Sequence, residues 1–168
     1  MQTFLLLGGN LGDRLLNLKL ATEAISTTCG EIIKSSSIYE TLAWGVTEQP
    51  NFLNQVIEIN SKLEAYQLLT QINKIEKNLG RERHQRWHER TIDIDILYYG
   101  NECFNSETLI IPHKELHNRK FTLVPLAEIA PNFMHPILKS SNLQLLNSCT
   151  DELDVWKYLI LNPNKNRF

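Results

Sequence analysis

Asp93 and Asp95 stand one residue apart in Thr91-Ile92-Asp93-Ile94-Asp95-Ile96, a run in which acids and aliphatics alternate. On a strand this spacing points both carboxylates to one face, roughly 6.5–7 Å apart along the chain. Ile92, Ile94 and Ile96 then fill the opposite face and anchor the strand in the core. Two carboxylates fixed side by side repel each other unless a cation lies between them. Oxygen donors with no cysteine nearby suit Mg²⁺, which completes its shell with water and phosphate oxygens. Two solvated aspartates on the open face of an antiparallel sheet would show the same spacing. The residues upstream shift the balance. Four of the seven arginines, Arg81, Arg83, Arg86 and Arg90, fall within ten residues, opposed only by Glu82 and Glu89. Guanidinium forks grip phosphate oxygens bidentately. An acid pair that binds metal, set beside several arginines, is the equipment of polyphosphate transfer: charge neutralisation together with in-line positioning.

The familiar nucleotide cradles are absent. There is no GxxxxGK[ST], and Gly8-Gly9-Asn10-Leu11-Gly12 lacks both the GxGxxG spacing and the lysine, so this turn reads as structural. A phosphate site must therefore be built from side chains, on elements that hold them still.

Periodicity supplies those elements. Phe4-Leu5-Leu6-Leu7 reads as a buried first strand ended by Gly8-Gly9-Asn10. From Asp13 the pattern is helical, with Leu15, Leu18 and Ile25 on one stripe, Leu16, Leu20 and Ala24 beside it, and Gly30 closing it. Residues 31–41, β-branched and serine-rich, read as a second strand, and residues 42–50 as a loop. In residues 52–59 the alternation places Leu53, Gln55, Ile57 and Ile59 on one side and Phe52, Asn54, Val56 and Glu58 on the other, a third strand. Ser61-Lys62-Leu63-Glu64 has the spacing of a capping box. The helix behind it buries Ala65, Leu68, Leu69, Ile72, Ile75 and Leu79 and stops at Gly80. Residues 92–99 form a fourth strand. Leu109-Ile110-Ile111-Pro112, a helical stretch over 121–129 and a tail to Phe168 follow. The order β-α-β-β-α-β predicts an α+β, ferredoxin-like antiparallel sheet with helices on one face, plus a short C-terminal extension. One domain over 1–168 is expected.

Composition narrows the function classes. Of 168 residues, 42% are hydrophobic and 21% charged, which fits a globular chain and not a disordered one. No apolar run approaches the roughly 18 residues of a membrane span. Cys29, Cys103 and Cys149 are an odd, scattered set without a CxxC pair, so free thiols and a cytoplasmic location are expected. A net charge of −2 and a pI near 6.2 give no general pull toward nucleic acid or anionic lipid.

The stretch Arg86-Trp87-His88-Glu89-Arg90-Thr91-Ile92-Asp93-Ile94-Asp95-Ile96-Leu97 resembles the signature of the 6-hydroxymethyl-7,8-dihydropterin pyrophosphokinase family. The likeness runs along nearly the whole chain. It takes in Gly8-Gly9-Asn10-Leu11-Gly12-Asp13, Gln49-Pro50-Asn51-Phe52-Leu53-Asn54, Gly80-Arg81, Pro112-His113, Asn118-Arg119-Lys120-Phe121, Pro125-Leu126 and Ile129-Ala130-Pro131. It implies transfer of pyrophosphate from the co-substrate ATP to the pterin hydroxymethyl group in folate synthesis, with AMP released by attack at the β-phosphorus.

By the same resemblance, Asp93 and Asp95 bind two Mg²⁺ ions, and Arg81 and Arg90 are the catalytic arginines that hold ATP and stabilise charge. Leu69, Arg83, Arg86, Ile96, His113 and Arg119 match positions at ATP. Phe52 and Phe121 match the aromatic pair around the pterin ring, and Asn54 the amide that reads its polar edge. Thr41, Leu42, Trp44 and Trp87 match further pterin positions. An amide suits that edge because it donates and accepts at once. Taken without the resemblance, Phe52 and Phe121 would read as core packing. Glu76, on the apolar stripe of its helix, is open between a buried hydrogen bond and a role in the reaction. No general base stands out, since a metal-bound carboxylate is a poor one.

This chain departs from the family pattern at His88 and Glu89, where Gly or Ala followed by Pro is usual, at Gly9, where serine is usual, and at Leu42-Ala43-Trp44. The loop between Arg81 and Trp87 is one residue shorter than in the commonest bacterial form. The expected chain is a monofunctional monomer that takes small-molecule substrates, with neither nucleic acid nor membrane as partner. The rival from another class is a single-stranded RNA-binding module on the same scaffold. Against it stands the acid pair on the same face, which would repel phosphates without Mg²⁺.

Overall fold

Alternation in the first strand decides the layering. In the computed structural model, which describes residues 1–42, 50–80 and 90–159, β1 (Gln2–Gly9) lies inside the sheet between two antiparallel neighbours, β4 (Phe52–Ser61) and β5 (Asp93–Tyr99). Leu5 and Leu7 face one way, into a core shared with α1 (Arg14–Thr28) and α2 (Ala65–Asn78). Phe4 and Leu6 face the other way, into a second core shared with α3 (Lys120–Ile129) and α4 (Asn142–Ser148). The sheet order is β5-β1-β4-β3-β8, with β2 (Gly30–Ser35) also on β4, β3 being Tyr39–Thr41 and β8 Val155–Lys157. All named pairings are antiparallel. A short ribbon of β6 (Phe104–Asn105) and β7 (Ile110–Ile111) stands apart. Among the described residues no helix is long and apolar enough to cross a membrane.

The α+β ferredoxin-like order is as expected, but four details differ. First, helices cover both faces: α1 and α2 share one, while the C-terminal extension puts α3 and α4 on the other. Second, residues 31–41 are two strands. Ser36 Oγ accepts the Val56 N–H at 3.0 Å in place of a ladder carbonyl, and the chain breaks there before re-pairing at Tyr39. Third, Ser61 does not cap α2. It ends β4, donates to the Cys29 carbonyl at 2.7 Å and accepts the Leu63 N–H at 3.2 Å, which leaves Glu64 as the cap, its N–H donating to Gln67 Oε1 at 3.1 Å. Fourth, the apolar face of α1 is narrower than its sequence suggests. Leu18, Ala21 and Ile25 are buried, but Leu16 and Leu20 are 47% and 38% exposed. Asp13 caps α1 through Leu16 N–H at 3.0 Å.

Ile92, Ile94 and Ile96 sit in the α1/α2 core, as the alternation requires. A register shift opposite Phe4 and Leu5 then leaves Leu97 as an extra residue, and both Leu97 and Tyr98 reach the α3/α4 core. The strict alternation of β5 therefore ends just past Asp95.

Candidate functional site

Helices α3 and α4 cover their face of the sheet only as far as Leu6 and Val56. Beyond that line lies a cavity of about 170 Å³, lined by Leu6, Gly8, Thr41, Leu42, Phe52, Asn54, Arg90, Asp93, Asp95, Arg119, Phe121 and Leu153. Its floor is set by register. Gly8 of β1 pairs with Asn54 on one side and with Asp93 on the other, and Leu6 pairs with Val56 and Asp95. Asn54 and Asp93 therefore share one row across three strands, about 10 Å apart at two inter-strand spacings. Only Gly8 lies between them. A Cβ there would come within 2.8 Å of Asn54 Oδ1, so glycine leaves room for the amide to lie across the strand.

Asn54 is 3% exposed and donates from Nδ2 to Thr41 Oγ1 at 3.1 Å, which orients the amide within the cavity. Phe52 stands two residues along the same face, and Phe121 comes from the start of α3, just after Arg119. On the other side, the Arg90 guanidinium pairs with the Asp93 carboxylate. His113 Nε2 lies 4.0 Å from Asp95 Oδ1. Burial lowers the His113 pKa more than the nearby Glu115 and Asp93 raise it, so the imidazole is neutral at pH 7. One end of the cavity is thus aromatic and amide-lined, and the other carries the two carboxylates and the Arg90 guanidinium.

Nine of the expected site residues meet here: Thr41, Leu42, Phe52, Asn54, Arg90, Asp93, Asp95, Arg119 and Phe121. His113 stands beside them at Asp95. Two do not reach the cavity. Ile96 is buried in the α1/α2 core, and Leu69 packs half-buried against that core. Trp44, Arg81, Arg83, Arg86 and Trp87 lie outside the described residues. Glu76, left open above, is buried and accepts the N–H of Ile94 on edge strand β5 at 2.8 Å. Leu6, Gly8 and Leu153 were missed. Leu6 and Gly8 could have been found from period 2 along β1, whereas nothing local marks Leu153, which comes from the C-terminal extension.

Solved structures agree with this architecture. The chain superposes on a crystal structure of HPPK-DHPS in complex with substrates with a TM-score of 0.71, covering 88% of this chain and 43% of that one at 16% identity. For Plasmodium falciparum HPPK-DHPS wild type with pteroate the TM-score is 0.73, covering 87% and 44% at 16% identity. At that identity the likeness defines the fold: an α+β, ferredoxin-like domain, here with a polar cavity at the open end of one sheet face.

Sequence comparison is more specific. Residues 4–131 match the model of the 7,8-dihydro-6-hydroxymethylpterin-pyrophosphokinase (HPPK) family. The 2-amino-4-hydroxy-6-hydroxymethyldihydropteridine pyrophosphokinase of Haemophilus influenzae is 38% identical over 161 residues, 95% of this chain and 98% of that protein. The Aquifex aeolicus protein of the same name is 43% identical over 136 residues, 81% of this chain and 84% of that one. The chain belongs to the 7,8-dihydro-6-hydroxymethylpterin-pyrophosphokinase family.

Proposed function

We propose that this cavity is where the chain performs its family's reaction, transfer of pyrophosphate from ATP to the hydroxymethyl group of 6-hydroxymethyl-7,8-dihydropterin in folate synthesis. The observation that carries the assignment is the row Asn54–Gly8–Asp93. It sets an amide and an acid at a separation that a flat bicyclic ring with a one-carbon arm can bridge, with the arm directed at the acids.

Phe52 and Phe121 flank the ring and Asn54 pairs with its amide edge. Thr41 holds Asn54 in the orientation that lets it do so. Arg90 and Arg119 face the phosphate end, where guanidinium groups hold anionic oxygens and stabilise the charge that spreads over them in the transition state. The substrate hydroxyl oxygen forms the new bond to the β-phosphorus. The bond from that phosphorus to the oxygen shared with the α-phosphate breaks, and AMP leaves with the electron pair. The hydroxyl proton passes to solvent or a phosphate oxygen, since Asp93 and Asp95, the carboxylates among the described residues that line the cavity, are poor bases once they hold a metal. Positioning and preorganised charge supply the rate.

Asp93 and Asp95 would hold Mg²⁺, two ions in this reading. Among the described residues no group of three or more His, Cys, Asp or Glu forms a protein cage. Two carboxylates on one face suit an ion that takes its other ligands from water and phosphate. When bound, Mg²⁺ screens the phosphate charge so that an oxygen nucleophile can approach. Residues 132–159 pack on the same sheet as the matched region, which supports reading 1–168 as one functional unit. Incubation with ATP, Mg²⁺ and the reduced hydroxymethylpterin is expected to yield AMP and the pterin diphosphate. Release of ADP would mean attack at the other phosphorus, and release of neither nucleotide would sink the assignment.

A further inference from the structure

Asn10 does not line the cavity, belongs to neither core cluster, and is nevertheless 1% exposed. Burying a carboxamide is unfavourable unless both its ends are paired, and here each end is paired to main chain far away in sequence. Oδ1 accepts the Arg90 N–H at 3.0 Å, and Nδ2 donates to the Pro50 carbonyl at 3.2 Å. The backbone N–H groups of Asn10 and Leu11 both donate to the Arg90 carbonyl, at 3.1 and 3.2 Å. Both polar groups of the Arg90 backbone are thus held by one dipeptide. Gly9 lets them come so close, since a Cβ at that position would lie 2.4 Å from the Thr91 carbonyl oxygen. On the other arm, Arg14 Nη1 donates to the Asn51 carbonyl at 2.8 Å, so both carbonyls leading into Phe52 are fixed.

We propose that Asn10 is a positioning residue: its carboxamide ties the backbone of Arg90 to that of Pro50, and so sets the distance between the phosphate-side arginine and the aromatic wall that starts at Phe52. This rests on the roles given above to Arg90 and Phe52. A carboxamide is the group required, because one arm needs an acceptor and the other a donor. Aspartate would turn a second acceptor toward the Pro50 carbonyl, and leucine would satisfy neither. Asn10 touches no reacting atom in this account. It acts by keeping the two substrates at reacting distance, where misplacement of about 1 Å can cost on the order of 100-fold in rate.

The test is a double-mutant cycle of Asn10→Ala and Arg90→Ala, with kcat measured alongside separate dissociation constants for the pterin and for a non-hydrolysable ATP analogue with Mg²⁺. Asn10→Ala is expected to lower kcat by roughly tenfold or more while each dissociation constant moves less than about threefold, the pattern of a lost transition-state geometry. In the Arg90→Ala background the same change is expected to lower kcat by less than about twofold, since its effect runs through Arg90. A wild-type kcat in Asn10→Ala, or an undiminished loss in the Arg90→Ala background, overturns the proposal. Should Asn10→Ala fail to fold cooperatively, the isosteric Asn10→Asp, which keeps the acceptor for Arg90, carries the same cycle with a smaller loss. Hydrogen exchange of the Arg90 amide separates this inference from the reading it rests on. If wild-type protein forms no AMP, the site assignment fails by itself, while an Arg90 amide that exchanges no faster in Asn10→Ala overturns the clamp.

Discussion

The two faces of one sheet have opposite fates. Under α1 and α2, residues Leu5, Leu7, Leu53, Ile57, Ile59, Ile94 and Ile96 are packed against Leu18, Ile25, Leu68 and Ile72 along the full length of the strands. Under α3 and α4 the apolar contacts stop at Leu6 and Val56, and the same strands continue as Gly8, Asn54, Phe52, Asp95 and Asp93. The closed face makes the open one possible. Two carboxylates and a buried amide hold their geometry only because the isoleucines and leucines between them are locked from behind. The amide and the acids are exposed to ligand because the second helical layer is shorter than the sheet.

The comparison predicts that adjacent residues on β5 and β1 fail in different ways. Asp95→Ala is expected to lower turnover by on the order of 1,000-fold, since the site loses a fixed anchor for charge. Its melting temperature should hold or rise slightly as like-charge repulsion with Asp93 is removed. Near-normal turnover in this variant would falsify the role given to the acid pair. Leu7→Ala, on the closed face, is expected to destabilise the fold by about 2–5 kcal/mol, while ligand affinities in the remaining folded protein stay close to wild type. A urea titration with and without ligand reads both, and selective loss of binding without loss of stability would erase the contrast.

Within the open face, Asn54→Ala is expected to weaken pterin binding by about 1–3 kcal/mol, the cost of leaving a buried polar edge without a partner. ATP affinity should hardly change, because no phosphate contact is removed. Calorimetry showing both affinities impaired alike would mean that the amide and the acids are not separate halves of the cavity.

The smallest expected effect concerns acid. His135, buried beside the Tyr98 ring, accepts the Ile137 and Leu138 N–H groups at Nδ1, each at 3.2 Å, which keeps the proton on Nε2. Burial lowers its pKa, helped by the neighbouring His117. The folded protein therefore takes up this proton at lower pH than the unfolded chain does. Stability is at its full value above the unfolded pKa of about 6.5 and declines as pH falls below it toward the folded value. Burial shifts His113 in the same direction, so both histidines act with one sign. The melting temperature is expected to drop between pH 7 and pH 5, and His135→Gln should flatten that drop. A profile with the same slope in the variant would remove His135 from the account.

Much of the closed face was legible in the sequence, because a single helix or strand carries its own period. Ile92, Ile94 and Ile96 had to oppose Asp93 and Asp95 whatever surrounded them, and the α2 stripe of Leu68, Ile72 and Ile75 follows from 3.6 residues per turn. The misreadings fell where local pattern and tertiary contact compete. Ser61 has the spacing of a cap, yet its hydroxyl is claimed by the Cys29 carbonyl across the sheet edge. Leu16 and Leu20 extend the apolar face of α1, but α2 and the sheet cover only one side of it. Most residues of the cavity, Arg119 among them, were named by resemblance to a family, and only Asp93, Asp95 and Arg90 by their chemistry.

By itself the sequence determined which side chains share a strand face, where helices start at Asp13 and stop near Gly80, and that acids and arginines are concentrated around residue 90. These are short-range properties, set by backbone geometry that every chain obeys. Only the tertiary structure decided that Asn54, Gly8 and Asp93 form one row, that α3 brings Arg119 and Phe121 over its end, and that Asn10 binds Arg90 and Pro50. Each of those joins residues far apart in the sequence, from Asp93 and Arg119 to Gly8 and Asp93. Such contacts depend on strand register and on where the second helical layer ends, and no period within a single element encodes either.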